Sequence, residues 1–232
     1  MGAPTVVFDL DGTLVDSAPD LVATLNTVFA QEGLPPVPYY TARNLVGGGA
    51  RSMIERSLRA EGRRLATAEI DRLVKEFIEY YASHIADRSR PFPSLEDALD
   101  ALGAAGCRLA VCTNKLEWLS VRLLGALGLS NRFVAVCGAD TFGLRKPNPD
   151  FLRRTIARAR GELAHAVMVG DSISDIATAR AARVPIVAVD YGYTETPVAE
   201  LGPDRVISVL TELPSAVFDL LHAGSPTPAE QC

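Results

Sequence analysis

Two acids, Asp9 and Asp11, stand two residues apart at the end of the apolar run Thr5–Phe8 and just before Gly12. On an extended strand side chains two apart face the same way, so both carboxylates are directed to one place. Like charges held that close raise one another's pKa unless a cation offsets them. Further along, Thr113-Asn114, Lys146-Pro147 and Gly170-Asp171 lie at or beyond the ends of other short β-like runs, with Asp175 one helical turn after Asp171. Carboxylates in excess suit a hard cation such as Mg²⁺. A hydroxyl, an amide and a lone ammonium suit phosphate oxygens.

The elements that must position these groups follow from hydrophobic periodicity. Strands are predicted at Thr5–Phe8, Arg108–Thr113, Phe133–Cys137, Ala166–Val169, Ile186–Val189 and Arg205–Ile207. They alternate with helices near Leu116–Leu127, Asp150–Arg160 and Ser174–Ala182, and a helix through Leu99 and Leu102 starts at a Ser94/Asp97 capping box. Such alternation implies a parallel sheet covered by helices on both faces, a Rossmann-like doubly wound α/β core. Ligands then bind outside the carboxyl ends of the strands, where the singled-out residues lie.

Between the first and second of these strands the pattern is all-helical. Ser17 caps a run through Leu21, Leu25 and Phe29; Gly47 to Gly49 precede a helix with Met53, Ile54 and Leu58; and Ile70 through Ile85 is strongly amphipathic. The division expected is a core of residues 1–15 and 88–221, an inserted helical cap of 16–87, and a disordered tail of 222–232.

With 232 residues, 48% hydrophobic and 22% charged, the chain can bury a core. Its formal charge of −5 provides no basic excess for nucleic acid, although a small anionic substrate needs only a local pocket. No apolar run approaches a membrane span and no signal-like segment opens the chain. Four cysteines without a CxxC pair read as buried thiols in a reducing cytoplasm. His84, His165 and His222 lie far apart, no GxSxG occurs, and Trp118 is expected to pack a helix against the sheet.

Taken in order, "DLDGT" from Asp9, "TN" at Thr113-Asn114, "KP" at Lys146-Pro147 and "GDSISD" from Gly170 to Asp175 resemble the four motifs of the haloacid dehalogenase superfamily, in its phosphatase branch. A helical cap after the first strand is also a trait of that family. The resemblance implies Asp9 as the nucleophile that forms an aspartyl-phosphate. It implies Mg²⁺ against Asp9, Asp171 and the main-chain carbonyl of Asp11. The Asp11 side chain is left free to carry the proton for the leaving alkoxide. Thr113 and Asn114 are expected to bind phosphate oxygens, Lys146 to neutralise the transferring group, and Asp175 to orient metal-bound water or to position Lys146. Where relatives usually place glycine after the following helix, this chain has Arg183, which must then bear a positive φ.

The presence of Asp11 separates phosphoryl transfer from dehalogenation. "LVGGGARSMIERSL", Leu45 to Leu58, and "VDYGYTE", Val189 to Glu195, look like segments of phosphoglycolate phosphatases, so the expected partner is a small phosphorylated metabolite, 2-phosphoglycolate first. Gly48 and Gly49 before a helix favour an anion, and Arg51 can take a carboxylate bidentately. The alternative is a flexible hinge with a solvated arginine. Pyrophosphate, nucleotides, sugar or amino-sugar phosphates and a phosphosugar mutase activity remain open within the family. Outside it stands a receiver-type phosphoacceptor, which lacks a large helical insertion. A monomer or homodimer is expected, with no nucleic-acid or membrane partner.

Overall fold

The computed structural model describes residues 2–223. The chain runs β1 (Thr5–Phe8), β2 (Val15–Asp16), α1 (Ala18–Gln31), α2 (Tyr39–Arg43), α3 (Ala50–Ala60), α4 (Thr67–Ser83) and β3 (Arg90–Pro91). It continues with α5 (Leu95–Ala104), β4 (Arg108–Cys112), α6 (Glu117–Ala126), β5 (Ala135–Cys137) and α7 (Pro149–Arg158). It closes with β6 (Ala166–Gly170), α8 (Ile173–Ala182), β7 (Ile186–Val189), β8 (Arg205–Ile207) and α9 (Leu213–Ala223).

Six parallel strands form one sheet in the order β5-β4-β1-β6-β7-β8. The central strand β1 pairs with β4 (Thr5↔Arg108) and with β6 (Thr5↔Ala166), and all four of its residues are buried. Because successive side chains alternate, Val6 and Phe8 join one core cluster and Val7 joins the other. The Val7 face is covered by Phe151, Leu152 and Ile156 of α7 and by Ile176 and Ala179 of α8. The opposite face is covered by α5, α6 and α9, and its apolar cluster runs on without a break into α1, α3 and α4. Strand order reverses direction around β1, which puts a crevice outside the carboxyl ends of β1, β4 and β6.

The helices α1–α4 leave and return on a two-residue antiparallel ribbon, with Val15 opposite Pro91 and Asp16 opposite Arg90. Buried Asp20 in the first turn of α1 accepts hydrogen bonds from the Arg88 and Ser89 amides and the Ser89 hydroxyl. A carboxylate near a helix N-terminus is favoured by the helix dipole, and here it ties the incoming helix to the outgoing chain.

Local details depart from the sequence reading in four places. Ser94 has φ 62° and makes no side-chain cap, so α5 starts from a left-handed residue rather than a capping box. Trp118 is 45% exposed and, instead of lying in the buried core, borders a surface groove with Val74, Ile78 and Ala82 of α4. The ribbon β2–β3 and helix α9 are not among the predicted elements. Helix α9 extends to Ala223, so the tail expected from His222 begins inside a helix, and residues 224–232 lie outside the described residues. Arg183, by contrast, is left-handed as expected, at φ 61°, a conformation that costs a non-glycine residue about 1 kcal/mol. Cys107, Cys112 and Cys137 are free thiols in or beside strands, and Cys232 lies outside the described residues. Among the described residues no helix is long and apolar enough to cross a membrane.

Candidate active site

The loops after β1, β4 and β6, together with the segment before α7, converge on one buried group of charges. Asp9 directly follows β1, its amide bonded to the Val169 carbonyl of β6 at 2.9 Å. One of its carboxylate oxygens accepts from the Leu10 amide at 2.7 Å and pairs with Lys146 Nζ at 2.8 Å. Lys146 also donates to Asp175 Oδ1 at 2.6 Å, and both side chains of that second pair are fully inaccessible. The other oxygen of Asp175 accepts from the Ser172 amide and hydroxyl at 3.0 and 2.6 Å, which locks the start of α8. Asp171, one residue past β6, accepts from the Thr13 hydroxyl at 2.8 Å and the Tyr193 amide at 2.7 Å.

The turn after β1 can approach Asp171 only because Gly12 has no side chain. Its φ is 88°, and a Cβ there would lie 2.4 Å from Asp171 Oδ2. Gly192 in the Tyr191–Tyr193 loop is under the same constraint, since a Cβ would fall 2.2 Å from the Asp171 Cβ. The loop in turn anchors the entry to the inserted helices. The Tyr193 hydroxyl donates to Asp16 and accepts from the Ala18 amide, and the Tyr191 hydroxyl donates to the Thr13 carbonyl.

Carboxylate oxygens of Asp9, Asp171 and Asp175 all lie within 4.8 Å of one another, and all three residues are buried. Burial, opposed by Lys146 but assisted by the charges of Asp175 and Asp11, pushes Asp9 up to about 6. Burial and then the charges of Asp175 and Asp9 push Asp171 up to about 8, despite its two hydrogen bonds. Desolvation disfavours charge on Lys146, yet the attraction of Asp175 and Asp9 outweighs it and holds the ammonium above its ordinary range. Adding Asp11 gives four buried carboxylates against the two buried ammonium groups of Lys146 and Lys115. The uncompensated charge is that of one divalent ion, and the donor set is all oxygen, which suits a hard cation.

Several expected site residues take other partners. The Asp11 side chain is not part of the acid cluster and is not free. Lys115 Nζ contacts both its oxygens at 2.9 Å, and the Ser17 hydroxyl donates to it at 2.5 Å rather than capping α1. The Asn114 amide, expected to face phosphate, is occupied instead. Its nitrogen donates to the Gly47 and Lys146 carbonyls and its oxygen accepts from the Lys146 amide at 2.8 Å, so it braces two loops. The Thr113 hydroxyl is buried beside Asp9 and Asp11 on the cavity wall and accepts from the Lys115 amide at 3.2 Å. Asp175 accepts from Lys146 Nζ, the partner named in one of its two expected roles. Gly47 and Gly49 border the cavity, whereas Gly48 packs against Ser52 and does not. Arg51 reaches the cavity wall, but its guanidinium is tied to Glu55 and Asp71. Lys115 is the functional candidate the motifs did not yield, although it stands directly after Thr113-Asn114.

The cavity outside these groups has a volume of about 180 Å³. Its far wall is apolar, formed by Val46, Met53, Val74, Phe77 and Ile78 from the inserted helices and the loop before α3. A volume below the roughly 300–1,000 Å³ typical of drug-sized ligands suits a small metabolite.

A doubly wound sheet that gathers buried aspartates and a lysine at its carboxyl edge beneath inserted helices defines a hydrolase of the haloacid dehalogenase-like class. The haloacid dehalogenase-like hydrolase family model matches residues 6–189, and the chain belongs to that family. It is 48% identical over 219 residues to a phosphoglycolate phosphatase of Agrobacterium fabrum, covering 94% of each chain. It is 47% identical over 221 residues to one of Caulobacter vibrioides, covering 95% of this chain and 93% of that protein. Among solved structures it is similar to a predicted phosphoglycolate phosphatase from Haemophilus somnus, with a TM-score of 0.85, 27% identity and coverage of 92% of this chain and 97% of that one. Membership of a hydrolase family removes the receiver-module alternative: the protein is a phosphatase of this family.

Proposed function

We propose that the protein hydrolyses 2-phosphoglycolate to glycolate and phosphate, with residues 16–87 as a cap over a core of 1–15 and 88–221, in the reducing cytoplasm. The observation that carries the reading is the Asp9 carboxylate, fixed by Lys146 at 2.8 Å within a cluster of acids at the mouth of a small cavity. Names of the similar proteins support the choice of substrate, and a cavity of this size favours it over nucleotides.

Asp9 and Asp171, with the main-chain carbonyl of Asp11, would hold Mg²⁺, while Asp175 keeps Lys146 in place through its ion pair with the ammonium. Bound there, the ion supplies charge neutralisation and polarises a phosphoryl oxygen. Asp9 attacks phosphorus, the new Asp9–phosphorus bond forms as the ester oxygen–phosphorus bond breaks, and Asp11 gives the departing oxygen its proton. Asp11 then takes a proton from water, whose oxygen displaces Asp9 and releases phosphate. Lys146 and the Thr113 hydroxyl stabilise charge on the phosphoryl oxygens.

The test is a panel of small phosphate esters with wild type and Asp9→Asn. Expected are the highest kcat/KM for 2-phosphoglycolate and a loss of roughly 10⁴-fold or more in the variant, with the fold retained by circular dichroism. Wild-type-like turnover by Asp9→Asn overturns the nucleophile, and a preferred ester without a carboxylate overturns the substrate.

A further inference from the structure

Three cations border the cavity, and they differ in what they are free to do. Arg51 is held by two acids at the surface, and Arg145 is exposed. Lys115 is buried, its side chain only 6% accessible, and its ammonium lies against Asp11 with two contacts of 2.9 Å. It also sits 4.6 Å from the centroid of the Tyr81 ring, which descends from α4 on the opposite wall. The Tyr81 hydroxyl is buried beside Lys115, whose ammonium can only donate to it, and its own O–H has no acceptor in hydrogen-bond geometry. A buried O–H left without an acceptor costs on the order of 1–3 kcal/mol, so its retention at a cavity wall points to a ligand atom.

We infer that Lys115 and Tyr81 form the subsite for the substrate's carboxylate, one group from the core and one from the inserted helices. The inference rests on 2-phosphoglycolate as substrate and deepens that reading. In this ester a single carbon separates the bridging oxygen from the carboxylate. Asp11 serves the bridging oxygen, so the carboxylate lies within reach of whatever touches Asp11 from the cavity side, and Lys115 does. The ammonium has three N–H donors and can turn one from Asp11 to the ligand. Tyr81 donates its O–H to the same carboxylate and so acquires its missing acceptor. Because Tyr81 comes from α4, the pair recognises the acid only with the helices closed over the core. The guanidinium of Arg51, engaged by Glu55 and Asp71, is not needed for this contact.

Ethyl phosphate, which carries a methyl group where 2-phosphoglycolate carries its carboxylate, separates the roles. For Lys115→Met we expect kcat/KM for 2-phosphoglycolate to fall about 100-fold, chiefly through KM, with a loss for ethyl phosphate at least about tenfold smaller. Tyr81→Phe removes only a hydroxyl whose O–H lacks an acceptor and leaves the ring in place, so it tests the subsite even if Lys115→Met folds poorly. Its expected loss is about fivefold with 2-phosphoglycolate and less with ethyl phosphate. A wild type that prefers 2-phosphoglycolate, with both variants losing the two esters equally, overturns the subsite alone. A wild type without that preference overturns the substrate reading as well.

Discussion

The two walls of the cavity handle charge in opposite ways. On the sheet side, charged groups are buried and each has short, specific partners: Asp9, Lys146 and Asp175 form a chain of contacts at 2.8 and 2.6 Å, and Asp171 is held by Thr13 and Tyr193. On the helical side, ion pairs lie in solvent. Arg51 meets Glu55 and Asp71, Arg72 meets Glu32 and Glu76, and Lys75 faces Glu79, while the residues turned inward are mostly apolar. Breaking a buried pair strands the other charge in low dielectric, whereas an exposed pair contributes little. The core therefore holds its buried charges at fixed separations, and the inserted helices set a mostly apolar wall against them.

Lys146→Met should show the largest effect of this contrast. It leaves both Asp9 and Asp175 without their shared cation, and we expect kcat to fall about 10²- to 10³-fold. Loss of stability should be about 3–5 kcal/mol, measured by urea unfolding in the presence of Mg²⁺. A variant with more than a tenth of wild-type kcat and an unchanged midpoint would show the buried chain of charges to be dispensable.

A second effect concerns the same wall without metal. Asp171 is raised to about 8 and Asp9 to about 6, so the folded protein binds protons more tightly than the unfolded chain. Stability from such groups is fully present below their unfolded values near 4 and is lost as pH rises through the folded ones. In chelator, the melting temperature should fall between pH 5 and pH 8, and added Mg²⁺ should restore most of the loss at the upper end. A metal-free protein whose melting temperature rises over that interval, or ignores Mg²⁺ at pH 8, would contradict the acid cluster as a cation site.

The same contrast explains which parts could be read from the residues. In the six-stranded sheet β1, β7 and β8 match the predicted residues and β4, β5 and β6 lie within two of them. Apart from the half-exposed edge strand β8, these are buried strands, which read as short continuous apolar runs between breakers. Asp9, Asp11 and Asp171 were visible because each stands just beyond such a run, Asp175 because it follows one helical turn later, and Lys146 through the Lys146-Pro147 dipeptide in the loop after β5. Lys115 was not, since its meaning depends on Asp11, 104 residues earlier. Nor was the bracing role of Asn114, which needs Gly47 and Lys146 brought together by the fold. Ser17 looked like a helix cap by local pattern, but its hydroxyl is drawn to Asp11, where a charged acceptor makes the stronger hydrogen bond. The ribbon β2–β3 has two residues per strand, too few for any periodicity to register.

Arg51 marks the small end of the scale, and there the two walls can be told apart most finely. Its position in the first turn after Gly47–Gly49 suggested a carboxylate clamp, yet its side chain is 41% exposed and its guanidinium is shared between Glu55 and Asp71. To reach a ligand it would have to leave both acids, giving up one charge-assisted contact set for another with little net gain. Arg51→Ala should therefore change stability by less than about 1 kcal/mol. We expect kcat/KM for 2-phosphoglycolate to change less than about threefold, with the same ratio for ethyl phosphate. A tenfold loss confined to 2-phosphoglycolate would mean that Arg51 abandons Asp71 when the ester binds. The helical wall would then contribute a charge as well as a shape, and the division between the two walls would be one of timing rather than of chemistry.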